Sequence, residues 1–71
     1  MANGMPETRI IADHAEPGKH TIVERTERGT VTDRYKVIAK QNCATDPGNI
    51  HLIGDNGKIN CYYRNAMVEI L

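Results

Sequence analysis

The chain has no tryptophan, no phenylalanine and no net charge: its 71 residues include three tyrosines, two cysteines, and nine basic side chains against nine acidic ones. Without large aromatics, a single domain of this size has a thin core of aliphatics plus Tyr35, Tyr62 and Tyr63, so it gains from self-association, a metal or a disulfide. A disulfide is not expected, because Cys43 falls in a loop and Cys61 on a strand, and sparse cysteine signals a reducing compartment. A metal is not expected either. His14, His20 and His51 lack an i, i+4 partner, and no Cys-x-x-Cys or His-Glu-x-x-His spacing occurs. The same shortage of catalytic constellations argues against an enzyme, a cofactor or a small-molecule substrate. No apolar run is long enough for a signal peptide or a membrane span, so a cytoplasmic location without membrane contact is expected. Balanced charge leaves no global field to gather nucleic acid, and any such site must be local.

What is present concentrates in residues 49 to 71. Asp55-Asn56-Gly57 separates the apolar alternations Ile50-Leu52 and Ile59-Cys61-Tyr63, which predicts a strand, a tight turn and a strand over residues 49 to 64. An Asn-Gly step suits a type I′ hairpin with two φ > 0 residues. In the second strand Ile59, Cys61 and Tyr63 share one face, expected to be the buried one, and Lys58, Asn60, Tyr62 and Arg64 share the other. Val68 and Ile70 then restart an alternation, so the chain must turn within Arg64-Asn65-Ala66, with Asn65 in the left-handed region.

Upstream, residues 1 to 5 have nothing to bury and read as a flexible start; one domain over 6–71 follows. Pro6 to Ala15 reads as a short helix with Pro6 at its first position, or as an irregular arm. His20–Thr26 is strand-like by its β-branched content, Glu27-Arg28-Gly29-Thr30 turns, and Thr30–Lys40 is long enough for a bent second strand. Val31, Tyr35, Val37 and Ala39 fall on one parity there, with Asp33 in the same series at a rim or bend. Asp46-Pro47-Gly48 closes the next loop, with an Asx hydrogen bond as the default use of Asp46. The fold class expected is mainly β: a short N-terminal helix followed by a five-stranded, strongly bent antiparallel sheet, a small SH3-like or Sm-like barrel. Ile22, Val37, Leu52, Ile59, Val68 and Ile70 are its expected core.

Two stretches carry a resemblance. Asn49-Ile50-His51-Leu52 is similar to the Asn-apolar-x-Leu that closes the first motif of the Sm-like family. Tyr63-Arg64-Asn65-Ala66-Met67-Val68-Glu69-Ile70 looks like its second motif, apolar-Arg-Gly-polar-x-apolar-x-Ile, and Thr21-Ile22-Val23 with Gly29 fits the first hairpin. The resemblance covers residues 6–71. It departs from the pattern where Asn65 stands for glycine, where Gly48 stands for a bulky base-stacking residue, and where no bend glycine appears near Arg34. Such departures are expected among divergent members, phage-encoded ones included.

The resemblance implies a homo-oligomeric ring that pairs the fourth strand of one subunit with the fifth of the next. Single-stranded RNA would bind pore-lining loops carrying Asn49, Arg64 and Asn65, with His51 and Tyr62 assisting. The competing reading is a small β-barrel protein-interaction module without RNA binding, with Tyr35, Tyr62 and Tyr63 as contact residues. Parity excludes Tyr62 and Tyr63 both being core. Self-association is expected, because the last two strands would leave ladder groups unpaired in a monomer; a clean monomer would sink the ring and favour the interaction module.

Overall fold

The computed structural model describes residues 8–71. Strands β1 (Arg9–Ile11), β2 (Thr21–Arg25), β3 (Val31–Asn42), β4 (Asn49–Gly54), β5 (Ile59–Tyr63) and β6 (Met67–Ile70) form one antiparallel sheet in the order β1-β6-β2-β3-β4-β5. The mainly-β class is as expected, but the sheet has six strands rather than five, and the stretch read as a helix is otherwise built. Expectations about residues 1 to 5 and about Pro6 as a helix start lie outside the described residues.

Where a helix was expected, Arg9–Ile11 lies along β6, pairing Arg9 with Glu69, Ile10 with Val68 and Ile11 with Met67. A single 3-10 turn, Ala12–His14, follows. The reason is where the backbone groups find partners. A short isolated helix is unstable without packing, whereas here the edge of β6 serves the strand, and the N–H groups of Ala12 and Asp13 donate to the carbonyls of Ala66 and Arg64 at 2.8 and 2.9 Å. Ala12 and Ala15 are thereby fully buried, and the turn covers one end of the core.

β3 bends the sheet. Its first half pairs with β2 and its second with β4, and the register slips between Val37 and Ala39 against β4. That bulge at Ile38 does what a bend glycine would do, adding one residue that kinks the strand and swaps its parity. Before it, Tyr35 and Val37 point into the core; after it, Lys40 and Asn42 stand opposite the inward Leu52 and Ile50. Lys40 ends there by donating its Nζ to the Asp13 carbonyl at 2.7 Å. Asp33 faces the rim as expected, 3.2 Å from Lys58 Nζ.

The two tight hairpin loops share one construction. In each, a type I turn (Gly29 N–H to Thr26 O, Gly57 N–H to Gly54 O) is followed by a glycine at φ 88° or 85°. This is the three-residue loop with a bulge, not the expected type I′ turn, because Gly57 alone takes positive φ and Asn56 does not. Asn65 is not left-handed either: Ala66 N–H closes a turn onto Tyr63 O at 3.0 Å, and no non-glycine residue among those described has positive φ.

The core is Ile22, Tyr35, Val37, Ile50, Leu52 and Val68 with Ala12 and Ala15, and Ile10, Tyr62 and Ile70 pack against it. Ile59 is the exception to the expected core: it is 64% exposed. The parity of β5 is the reverse of that expected, with Asn60 and Tyr62 inward beside Leu52 and Ile50, and Ile59, Cys61 and Tyr63 outward. Polar partners decide this orientation. Asn60 Nδ2 reaches the Leu52 carbonyl at 3.3 Å, and the Tyr62 hydroxyl meets Tyr35 and Glu24 on the inner face of the sheet.

Candidate functional site

Strand β5 is an edge of the sheet, and its backbone polarity follows from its two ends. Gly54 N–H donates to Lys58 O at 3.0 Å, and Arg64 N–H donates to Gly48 O at 3.0 Å. In an antiparallel ladder alternate residues bond to the same neighbour, so Asn60 and Tyr62 also bond toward β4. The N–H and C=O groups of Ile59 and Cys61 and the N–H of Tyr63 therefore point off the edge, while the Tyr63 carbonyl already accepts from Ala66 N–H at 3.0 Å. Their side chains lie on the outward face as well, with Tyr63 70% exposed. No charge and no proline falls within Ile59-Asn60-Cys61-Tyr62-Tyr63, and those are the devices that ordinarily blunt an edge.

The opposite edge is different. β6, expected to be unpaired, is flanked by β1 on one side and β2 on the other. The new edge, β1, is three residues long and runs directly into the 3-10 turn.

The residues that the sequence marked for RNA do not all gather. Asn49 and His51 stand on the outward face of β4, opposite Tyr63 and Cys61 respectively, and Gln41 of β3 lies on the other side of His51. Asn49 donates from Nδ2 to Asp46 Oδ2 at 3.2 Å, while its Oδ1 is buried with no hydrogen-bond partner among the described residues. A shallow groove of about 370 Å³ opens there, lined by Asn49, Cys61, Tyr62, Tyr63 and Ala66. Asp46 makes the expected Asx bond, accepting from Gly48 N–H at 2.9 Å. Asn65 is exposed at the corner of the β5–β6 turn.

Arg64 does not point at a ligand. Its Nε donates to Pro47 O at 2.7 Å, Nη1 to Asp13 Oδ1 at 2.9 Å and Nη2 to Asn42 Oδ1 at 2.6 Å. All three nitrogens of the fork are engaged within the chain, tying together the 3-10 turn, the end of β3 and the loop before β4. Lys40 and Arg64 thus staple the same cap from two sides.

Tyr62 is likewise internal. Its hydroxyl donates to Glu24 Oε2 at 2.8 Å and lies 2.6 Å from the Tyr35 hydroxyl. Since Tyr62 spends its single proton on Glu24, Tyr35 is the donor of the second bond. Burial raises Tyr35 to about 12, and burial together with the bond from Tyr35 raises Tyr62 far above an ordinary phenol. Both stay neutral donors in the folded chain. Tyr63, not Tyr62, is the tyrosine the surface offers. The signal was in the sequence, since parity demanded that one of the pair face outward, but the apolar appearance of Ile59 and Cys61 pointed to the wrong one.

Among the described residues no group of three or more His, Cys, Asp or Glu side chains is placed to hold a metal. No helix among them is long and apolar enough to cross a membrane. No family model matches the chain, and neither a curated protein nor a solved structure matches it significantly.

Proposed function

We propose that the protein is a small β-barrel interaction module that docks an extended segment by strand addition along β5. The observation that supports this is the unguarded edge: outward backbone groups at Ile59 and Cys61 and the outward N–H of Tyr63, with the side chains of the same residues exposed beside them. Main-chain bonds supply affinity in this mode of recognition, and alternate side chains supply selectivity. Cys61→Pro tests it, because this change removes an N–H that points off the sheet and proline is tolerated on edge strands. Fluorescence anisotropy with labelled extended peptides of alternating apolar sequence, one of them this chain's own β5 segment, should show binding to the wild type. Binding should be at least tenfold weaker in the folded proline variant. Equal binding by both would refute the reading.

A second reading, single-stranded RNA binding of the Sm-like kind, is favoured by the orphaned Asn49 Oδ1 beside the groove and by exposed Tyr63 across from it. An amide carbonyl can accept from a base edge, and a tyrosine ring can stack on the base, each such stack contributing about 1–3 kcal/mol. Arg64 takes no part in this version, since its fork is engaged elsewhere. Labelled uridine- and adenine-rich RNA should bind at low salt and lose affinity on Tyr63→Ala. Absence of wild-type binding at low salt would end this reading. A ring built head to tail would need the outer edge of β6, which β1 occupies.

A further inference from the structure

We infer that the segment docked on β5 is β5 of a second copy, paired antiparallel about a twofold axis that passes between the two Cys61 residues. This rests on the strand-addition reading above and names its partner. The argument starts from which residues can face each other. Only Ile59, Cys61 and Tyr63 of this strand present outward backbone groups, Tyr63 its N–H alone because its carbonyl is taken by Ala66 N–H, so an antiparallel partner strand must set one of these against one of its own three. Placing Cys61 opposite Cys61 sets Ile59 against the second copy's Tyr63, and Tyr63 against its Ile59, giving about four backbone hydrogen bonds between free groups. A shift of two residues either way leaves one end of the strand without a partner.

The side chains agree with that register. On the outward face it brings Ile59, 64% exposed, against Tyr63, 70% exposed, twice over. A β-branched residue opposite an aromatic is a favourable cross-strand pair, and like charges opposite one another are not. The nearest charges are Lys58 and Arg64, which this register brings together at each end. Both are already matched at home: Lys58 Nζ lies 3.2 Å from Asp33 Oδ2, and Arg64 Nη1 lies 2.9 Å from Asp13 Oδ1. The uncharged stretch between them meets only itself. The result is a continuous sheet running β3-β4-β5 and then β5-β4-β3 of the second copy. An isologous contact of this kind closes on itself using one edge per molecule, which suits a chain whose β6 edge is already covered. The contact is small beside the roughly 1,200–2,000 Å² of a stable interface, so the dimer forms at micromolar concentrations and dissociates on dilution.

The test places Cys61 at the axis. In the Cys43→Ser protein Cys61 is the sole thiol. This background matters because the Thr45 hydroxyl lowers the Cys43 thiol below its ordinary value and makes it a competing target. A short bis-maleimide added at tens of micromolar protein should convert most of the chain to a covalent dimer, and little at a hundredfold dilution. Tyr63→Lys should lower the yield at least tenfold, and amide exchange by NMR should show Ile59, Cys61 and Tyr63 slowing with concentration. A protein that light scattering shows to be monomeric at 100 micromolar, or a dimer that neither cross-links at Cys61 nor protects these amides, overturns the inference. If peptides still bind the wild type and fail on Cys61→Pro, strand addition survives with a different partner; if they bind neither or both, it falls too.

Discussion

Tyr62→Phe removes one oxygen atom from the inner face of the sheet and breaks two bonds at once. The Tyr35 hydroxyl, on a side chain only 1% exposed, loses its acceptor at 2.6 Å, and Glu24 loses a donor at 2.8 Å. A buried hydroxyl left unsatisfied costs about 1–3 kcal/mol, and a hydrogen bond to a charged group contributes about 1.5–3 kcal/mol. Glu24 is only half-buried and recovers part of its loss from water, so the sum should fall near 2–4 kcal/mol. A domain of this length has about 5–10 kcal/mol in total, so the midpoint in urea should drop by roughly a fifth or more. Tyr35→Phe breaks only the bond that Tyr35 donates to Tyr62, leaving Tyr62 bonded to Glu24, and should cost less, about 1 kcal/mol. The two changes should therefore not add, because the double variant lacks the stranded Tyr35 hydroxyl that burdens Tyr62→Phe. Urea unfolding of both single variants and the double variant, followed by circular dichroism, closes the cycle. The reasoning fails if Tyr62→Phe costs no more than Tyr35→Phe, or if the effects add within about 0.3 kcal/mol.

The same pair sets an alkaline limit: a phenol whose folded value is raised contributes stability that is whole below the unfolded value near 10 and is lost as pH rises through about 12, the value of folded Tyr35. Phenolate absorbance rising together with loss of the strand signal would bear this out, and unchanged stability from pH 9 to 12 would not. Gly54→Ala should destabilise by about 1–3 kcal/mol through overpacking, since a Cβ there would lie 2.7 Å from Tyr35 Cδ2 and 2.9 Å from Tyr35 Cβ; thermal unfolding reads it, and a neutral result would mean that Tyr35 can move. Arg64→Ala should lower stability by about 1–3 kcal/mol, leaving Asn42, Asp13 and the Pro47 carbonyl short of a donor, and a variant as stable as wild type would show that the fork is a surface decoration rather than a clamp.

How much of this was legible in the sequence depended on the range over which each choice is made. β4 could be read directly, because Ile50 and Leu52 are buried and His51 is not, and the period of two is visible within four residues. The glycines of the two hairpin loops were equally plain. The N-terminal segment was not, because Arg9-Ile10-Ile11 becomes a strand only by virtue of β6, close to sixty residues away in the chain. The parity of β5 failed for a related reason. Ile59, Cys61 and Tyr63 form a more apolar set than Asn60 and Tyr62, and only the Tyr35 hydroxyl and the Glu24 carboxylate, both on other strands, turn Tyr62 inward. Arg64 was read as a ligand contact, whereas its partners come from three separate segments that no local spacing brings together.

The covering of β6 bears on what this sheet can build. A ring or a filament made by strand pairing needs two complementary edges on every copy, whereas a twofold dimer needs one that matches itself. β1 is held by more than its ladder to β6: Ala12 and Ala15 are fully buried behind it, the Lys40 ammonium grips the Asp13 carbonyl, and Arg64 grips its carboxylate. Detaching β1 would expose these groups as well as the edge, so β6 stays covered while the cap is intact. With β6 closed and β5 open, growth along the sheet on the proposed dimer would stop at the first partner strand. Asp13→Ala, which cuts the Arg64 contact without touching β5, should therefore leave the dimer at Cys61 unchanged. If higher assemblies appear in light scattering on this change, β1 was the stopper, and the covered edge of β6 is competent to pair once released.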